Sequence, residues 1–364
     1  MDKQEEKAHE KKRRWIKSVP LLIVEICILF LATGIMYVVL TTTAEVEHRD
    51  IDEENITINE EVVEAMQTEV ISDDDSTVKG YRNIALFGVD SRNGALGKGT
   101  RSDSIMIASI NQDTQEIKLI SVYRDTFLNL GNDSYNKCNA AYAQGGPEQA
   151  ISMLNTNLDL DITDYVTIGF GGLIDAVEAI GGIEMEITET EISHLNNYQL
   201  SMAKEMGVDY IPVEHSGMQL LNGMQATAYC RIRYGGGDDF RRAERQRNVL
   251  YAMMNKAKTA SVGELTEMVN AILPEVQTSL DLKDVLSVLG SAAGYDVVAS
   301  DGFPFADSRT GARMGSKGDC IIPDDLEENV IALHSLLYPE QDYEPSRQVV
   351  NISAEIEELT NQYK

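Results

Sequence analysis

Six arginines fall within residues 231–247, Arg-Ile-Arg-Tyr-Gly-Gly-Gly-Asp-Asp-Phe-Arg-Arg-Ala-Glu-Arg-Gln-Arg, and no lysine accompanies them. Guanidinium is a planar fork that grips phosphate oxygens in pairs and stays charged. Arg231 and Arg233 alternate, so an extended segment puts them on one face. Arg242 lies three residues before Arg245 and four before Gln246, so a helix starting near Asp239 groups them as well. Gly235-Gly236-Gly237 lets the backbone fold between the two halves. At roughly 1.5–3 kcal/mol net per charged hydrogen bond, three or four such contacts hold a diphosphate. The same stretch also reads as a solvated helix, salt-bridged to Asp238, Asp239 and Glu244.

Three further clusters lie upstream: Gly88-Val89-Asp90-Ser91-Arg92, Arg101-Ser102-Asp103-Ser104 and Tyr123-Arg124-Asp125-Thr126. Each borders an apolar run that reads as a strand, and open α/β sheets carry their sites at strand ends. Asp90 and Asp103 are candidate Mg²⁺ ligands, since that ion takes oxygens and shares its shell with waters and substrate phosphates. Singly, each Asp reads equally well as a cap or turn residue.

The elements that must position these residues follow from apolar patterning. Strands are expected over 83–89, 103–111 and 116–123, the last two joined by a connector of hairpin composition, Asn111-Gln112-Asp113-Thr114-Gln115. A helix is expected over 147–158, opened by Pro147. A strand over 165–170, a helix over 173–180 stopped by Gly181-Gly182, and a strand over 183–187 come next. Helices are expected over 262–273, 282–293 and 324–337, with a Gly-, Asp- and Ser-rich segment at 300–319. The alternation implies an α/β fold, a layered α-β-α domain around a central mixed sheet.

Residues 19–40 form an apolar run of 22 with one charge, Glu25. At about 1.5 Å per residue it crosses a bilayer core of about 30 Å. Residues 1–18 carry seven Lys or Arg against four acids, so this tail is expected in the cytoplasm. The rest is then extracellular, on a single-pass anchor in the cell membrane. A cleaved signal peptide is the alternative. The bulky Met36-Tyr37-Val38-Val39-Leu40 end, with no Ala-x-Ala-like site, speaks against it. Glu25 is either functional or a snorkelling group near the cytoplasmic end. Residues 41–79 read as an acid-rich solvated stalk, 80–260 as the catalytic domain, and 261–364 as a helical region packing on or extending it.

The 364 residues hold 31 Lys+Arg and 59 Asp+Glu, a formal charge of -28. A nucleic-acid partner is not expected of so acidic a chain. An acidic domain that gathers six arginines needs a local reason to do so. No Cys-x-x-Cys pair or His-Glu-x-x-His motif suggests zinc. Of four cysteines, Cys27 lies in the expected span. Cys138, Cys230 and Cys320 are an odd set, most simply buried free thiols.

The motifs resemble those of the LytR-CpsA-Psr family of bacterial envelope proteins. The matching stretches are NIALFGVDSR at 83–92, RSDSIMIAS at 101–109, SVYRDT at 121–126, NKCNAAYA at 136–143 with Gly145-Gly146, AIGGI at 179–183, and 221–246. The resemblance implies transfer of a glycan such as teichoic acid or capsule polymer from an undecaprenyl-diphosphate carrier to peptidoglycan, forming a phosphodiester. It assigns Asp90 and Asp103 to metal. It assigns Arg101, Arg124, Arg231, Arg233, Arg242 and Gln246 to the diphosphate, and Asp125, Arg124 and Asp239 to the catalytic motif. Two departures stand out: Tyr123 where the family usually has proline, and Cys138 where an aliphatic residue is usual.

The implied mechanism has Mg²⁺ neutralising the leaving phosphate while Asp125 or another acid takes the acceptor's proton. Leu154, Ile168, Phe170, Ile174, Val177 and Ile180 are candidate lining for the polyprenyl tail, with ordinary core as the alternative. A pyrophosphohydrolase and a non-enzymatic sensor of lipid-linked precursors are the rival functions.

Overall fold

Strands covered on both faces have no solvent side, so their sequences run apolar almost without interruption. In the computed structural model β1 (Glu47–His48), α1 (Glu60–Glu69), β2 (Tyr81–Val89), β3 (Ser102–Asn111), β4 (Glu116–Val122), β5 (Phe127–Asn129) and β6 (Tyr135–Lys137) come first. They are followed by α2 (Asn139–Leu158), β7 (Asp164–Gly169), α3 (Phe170–Ala179), β8 (Ile183–Ile187), α4 (Glu189–Met206), β9 (Gly217–Leu221) and α5 (Gly223–Arg231). Then come α6 (Asp239–Thr259), α7 (Val262–Ile272), β10 (Val276–Thr278), β11 (Asp296–Phe303), β12 (Arg309–Arg313), β13 (Asp319–Pro323), α8 (Leu326–Leu337) and α9 (Arg347–Thr360). The structure describes residues 47–48, 55–69, 80–89, 96–233, 239–272, 275–280 and 294–363. The expected membrane span, the expected helix at 282–293 and Asp90 lie outside them. Among the described residues no helix is long and apolar enough to cross a membrane.

The main sheet orders its strands β1-β10-β7-β2-β3-β4-β11. β3 pairs antiparallel with β2 and β4, while β7 and β11 join parallel to β2 and β4, so the sheet is mixed. One face carries Ala85, Phe87, Ile105, Ile107 and Ile120 into a core with Tyr142, Ile151, Leu154, Leu333 and Ile352 of α2, α8 and α9. The other face, with Ile84, Ala108 and Leu119, meets Leu250 and Met254 of α6. A second core, including Val177, Ile183, Leu195, Leu221 and Val249, joins α3 to α6 and the antiparallel β8–β9 pair. The α-β-α expectation holds.

Three expectations need correction. The helix expected from Pro147 continues a shorter one: α2 starts at Asn139 and bends at Gly146, whose φ of +75° breaks the turn before Pro147 restarts it. The segment at 300–319 is largely β-structure, so the region after 260 is not simply helical. β11 is a sheet edge, with polar residues toward solvent, and such a strand looks like a loop in sequence. Finally, parts of 41–79 are docked rather than solvated. β1 lies beside β10, and Ile56 packs on the main core. Asn59 is 4% exposed and donates to Thr156 O at 3.1 Å.

Asp159 explains the docking. It caps α2 in the left-handed region, φ 50°. Its carboxylate accepts from Ser346 N at 2.7 Å, Ser346 Oγ at 2.6 Å and Tyr343 Oη at 2.6 Å, and also from Asn59 Nδ2. One side chain thus ties the N-terminal segment to the start of α9. Its loss strands several buried donors at about 1–3 kcal/mol each. Asp159→Ala should therefore lower stability by about 3 kcal/mol or more in urea unfolding followed by circular dichroism. Asp159→Asn, which keeps an acceptor oxygen and tolerates positive φ, should cost less.

Candidate active site

The ends of β2 and β3, the loop after β4, the end of α5 and the start of α6 converge on one cavity of about 250 Å³. Asp103, Arg124, Arg231, Arg233, Arg242 and Gln246 line it, with Gly88 and Ser104 beside them. Gly88 suits the place, because a Cβ would come to 3.0 Å from Ser104 Cβ. Asn222 caps α5 by accepting from Gln225 N at 2.8 Å, and the helix runs through Arg231. Ile232 (φ -57°, ψ 131°) then turns the chain out of the helix. The extended Arg231–Arg233 segment expected from alternation is therefore not formed, although both side chains reach the cavity. Arg231 also lies over the Phe170 ring at 4.8 Å and the Tyr198 ring at 5.7 Å.

Helix α6 begins at Asp239, where a carboxylate suits the N-terminal dipole. Asp239 Oδ1 lies 3.1 Å from Arg242 Nη2, 3.2 Å from Arg233 Nη2 and 3.7 Å from Arg124 Nε. None of the three aims a hydrogen bond at it, and Arg242 Nε is buried with no hydrogen-bond partner among the described residues. The guanidinium donors thus keep capacity for an anionic ligand. Arg245, from the same motif, turns away to Glu191 at 2.9 Å and to Ile232 O at 3.2 Å. Arg247 donates to Ser300 Oγ at 2.8 Å on β11. These two arginines are structural.

A second chamber, of about 770 Å³, shares Asp103 and Arg124 with the first. Arg101 and Asp125 open on this side, with Lys137 of β6 and Lys317. The family resemblance groups Arg101 with the other diphosphate residues, and the fold sets it in the second chamber, across the shared wall. Sequence reasoning missed Lys137, Tyr198 and Lys317. Lys137 had a signal, because it sits inside the NKCNAAYA stretch.

The wall is an ion network. Arg124 Nη1 is 2.5 Å from Asp103 Oδ1 and its Nε is 3.3 Å from Asp125 Oδ2. Burial opposes the Arg124 charge, but Asp103, Asp125 and Asp239 outweigh it and hold the pKa above the usual arginine value. Asp125 is part-buried too, yet the Lys137 hydrogen bond at 2.9 Å and the charges of Arg124 and Lys137 keep its pKa below the ordinary range. Burial raises that of Asp239, and neighbouring Asp125 adds to the rise. The two carboxyls lie close enough to influence each other, so their protons belong to the pair.

Among the described residues no group of three or more His, Cys, Asp or Glu is placed to hold a metal. Asp103 is a part-exposed oxygen donor where the chambers meet, which suits a Mg²⁺ held largely by waters and substrate phosphate. Cys138, Cys230 and Cys320 are free and buried. Burial pushes the Cys230 thiol up to about 12, so it is no nucleophile at neutral pH.

The LytR_cpsA_psr family model matches residues 35–310. The chain belongs to that family. The match reaches past 258, where recognisable motifs end, and takes in β10 and β11. A relative from Oceanobacillus iheyensis, named polyisoprenyl-teichoic acid–peptidoglycan teichoic acid transferase TagU, is 27% identical over 80% of this chain and 85% of its own. The crystal structure of Bacillus subtilis TagV shares the fold, with TM-score 0.58 and 24% identity over 73% of this chain and 99% of that one. So does YwtF (TagT) with bound octaprenyl pyrophosphate lipid, at TM-score 0.50 and 18% identity over 79% and 94%.

Arg231→Ala or Arg233→Ala removes a charged donor from the cavity. Each should weaken binding of a polyprenyl diphosphate by about 10–100-fold with unchanged circular dichroism melting, measured by calorimetric titration. Arg245→Ala should do the reverse and destabilise the fold, because it leaves Glu191 buried and unpaired.

Proposed function

We propose that this chain transfers a teichoic-acid-type glycopolymer from a polyprenyl-diphosphate carrier onto peptidoglycan. The observation that carries the reading is the convergence of Arg124, Arg231, Arg233, Arg242 and Gln246 on one cavity, backed across the Arg124 wall by an ionised Asp125. The arginines hold the diphosphate. An acceptor hydroxyl attacks the sugar-linked phosphorus, its proton passes to Asp125, the bond to the bridging oxygen breaks, and polyprenyl monophosphate leaves. Asp239, paired with Arg233 and Arg242, positions the arginines. Mg²⁺, held by Asp103 with Asp90, would neutralise charge on the leaving phosphate.

The tail needs an apolar track, because each buried methylene contributes about 0.8 kcal/mol. Leu86, Val166, Leu250 and Met254 are partly buried on the sheet face opposite the main core. Ile168 stands in register with Gly88 on that side. They suit a track leading from the cavity. Leu154, Val177 and Ile180 are instead fully packed core. The reading also places residues 19–40 as a single-pass anchor in the cell membrane with the catalytic domain outside, on the same leaflet as the lipid carrier.

Hydrolysis of the carrier uses the same site with water as acceptor, so products decide. The full chain in detergent is incubated with a polyprenyl-diphosphate glycan, Mg²⁺ and peptidoglycan oligomers, and products are followed by mass spectrometry. Glycan joined to oligomer through a phosphodiester is expected, lost in Arg231→Ala, reduced at least about tenfold in Asp103→Ala and abolished by EDTA. Free glycan phosphate without adduct would make the protein a pyrophosphohydrolase. Tight binding with no product would make it a sensor.

The pH profile tests the base. Asp125 stays ionised below the usual carboxylate range because Lys137 and Arg124 stabilise its charge. Lys137→Met removes one of these cations and raises the Asp125 pKa. The acid limb of kcat should then move to higher pH, with the rate above that limb reduced less.

A further inference from the structure

We propose that the larger chamber seats the acceptor, and that Lys317 recognises an anionic group on it. The inference rests on the transfer reading above and names where the second substrate binds. An in-line displacement needs attacking and leaving oxygens on opposite sides of the phosphorus. The donor arginines occupy one side of the Asp103–Arg124 wall, and Asp125 opens on the other. At about 770 Å³ the second chamber is large enough for a saccharide unit, while the 250 Å³ donor cavity has no room for two substrates.

The lining agrees in chemistry. Thr100, Asn136, Asn139 and Ser316 offer hydroxyl and amide groups of the kind that pair with sugar hydroxyls. Lys137 is committed to Asp125. Lys317 is different. Its Nζ donates to Tyr135 O at 2.9 Å and sits 5.7 Å from the Phe127 ring centroid. Two contacts fix its direction, and no carboxylate pairs with it among the described residues. An ammonium with donors to spare on a residue that lines a polar chamber suits a carboxylate or phosphate on the acceptor.

The turn that carries it is anchored to the catalytic loop. Lys317 ends a short 3-10 turn, Gly315–Lys317, between β12 and β13. Gly318, at φ +75°, closes it, and Met314 N donates to Gly318 O at 2.8 Å. β13 then bonds the loop that carries the base: Ile321 N donates to Asp125 O at 2.9 Å, and Thr126 bridges Ile321. The strand that follows the Lys317 turn is thus tied by backbone to the Asp125 loop. Lys317 lies beyond residue 310, where the family match ends.

The test is steady-state transfer by the full chain, varying peptidoglycan oligomer at saturating donor. Lys317→Glu should raise the acceptor KM about tenfold or more, with the Kd for polyprenyl diphosphate unchanged. Lys317→Arg should restore KM to within about threefold. Oligomers whose carboxylates are converted to amides should bind the parent more weakly and lose most of the difference between parent and Lys317→Glu. Loss confined to phosphate-bearing oligomers would name phosphate as the anion read. An unchanged acceptor KM in Lys317→Glu would overturn the inference and leave the transfer reading intact. Loss of donor binding in the same variant would also overturn it, because the role would not be specific to the acceptor. Absence of any transfer by the parent would instead defeat the functional reading itself.

Discussion

One guanidinium stands between the two chambers, and the site is arranged around it. Arg124 touches Asp103 at the start of β3, Asp125 in its own loop and Asp239 at the start of α6. Taking that charge out of water costs several kcal/mol, and ion pairs of this kind seldom add net stability. What they add is direction. Hydrogen bonds to Asp103 and Asp125 fix the plane of the fork and Asp239 adds its charge from a third element, so the phosphorus that meets it has a defined approach on either side. A catalytic group displaced by 1 Å forfeits much of its effect, which gives such over-determination a purpose.

The loop carrying Arg124 is held as firmly as its side chain. Tyr123 N donates to Phe303 O at 3.0 Å, Thr126 N to Tyr123 O at 2.9 Å, and Asn139 N to Arg124 O at 3.2 Å. Cys138 Sγ reaches Tyr123 O at 3.1 Å, so a thiol rather than an aliphatic group at that position gives a weak donor to the loop. The proline usual before Arg-Asp-Thr would bring a fixed φ but no N–H. Tyr123 brings the N–H that bonds β11. Its ring packs edge-on to Phe240 at 4.7 Å, and the Arg309 guanidinium covers both rings. Stiffness that a proline ring would supply is here supplied by contacts to the C-terminal strands.

Much of this was readable from residue types. The buried strands β2, β3 and β4 announced themselves as apolar runs, and Arg242 and Gln246 share a face because four residues nearly close a helical turn. The division of the site was not readable. Arg101 and Asp103 are two apart, yet one opens on a single chamber and the other on both, which depends on where β3 begins. Arg231 and Arg233 reach the same cavity through a helix end, not through alternation. The bonds from Asp159 to Asn59 and Ser346 join segments far apart in sequence by polar contacts that leave no periodic trace. Lys317 sits in a Gly- and Ser-rich stretch whose composition says turn and nothing more.

The two chambers also bear on how transfer wins over hydrolysis. The larger one is polar and open, so water occupies it until something bulkier arrives. Water at Asp125 would be as easily activated as a sugar hydroxyl, and only an acceptor that fills the space removes it. Binding energy gathered far from the reacting hydroxyl therefore serves the chemistry by excluding the competing nucleophile. Long-range attraction contributes little to that binding: the chain carries -28 overall, and fields from exposed charges fade within about 8–10 Å. The arginines and lysines act at contact. A surface that repels anionic polymers at a distance and binds them in two small basic chambers favours correctly seated chain ends over loose adsorption along the polymer.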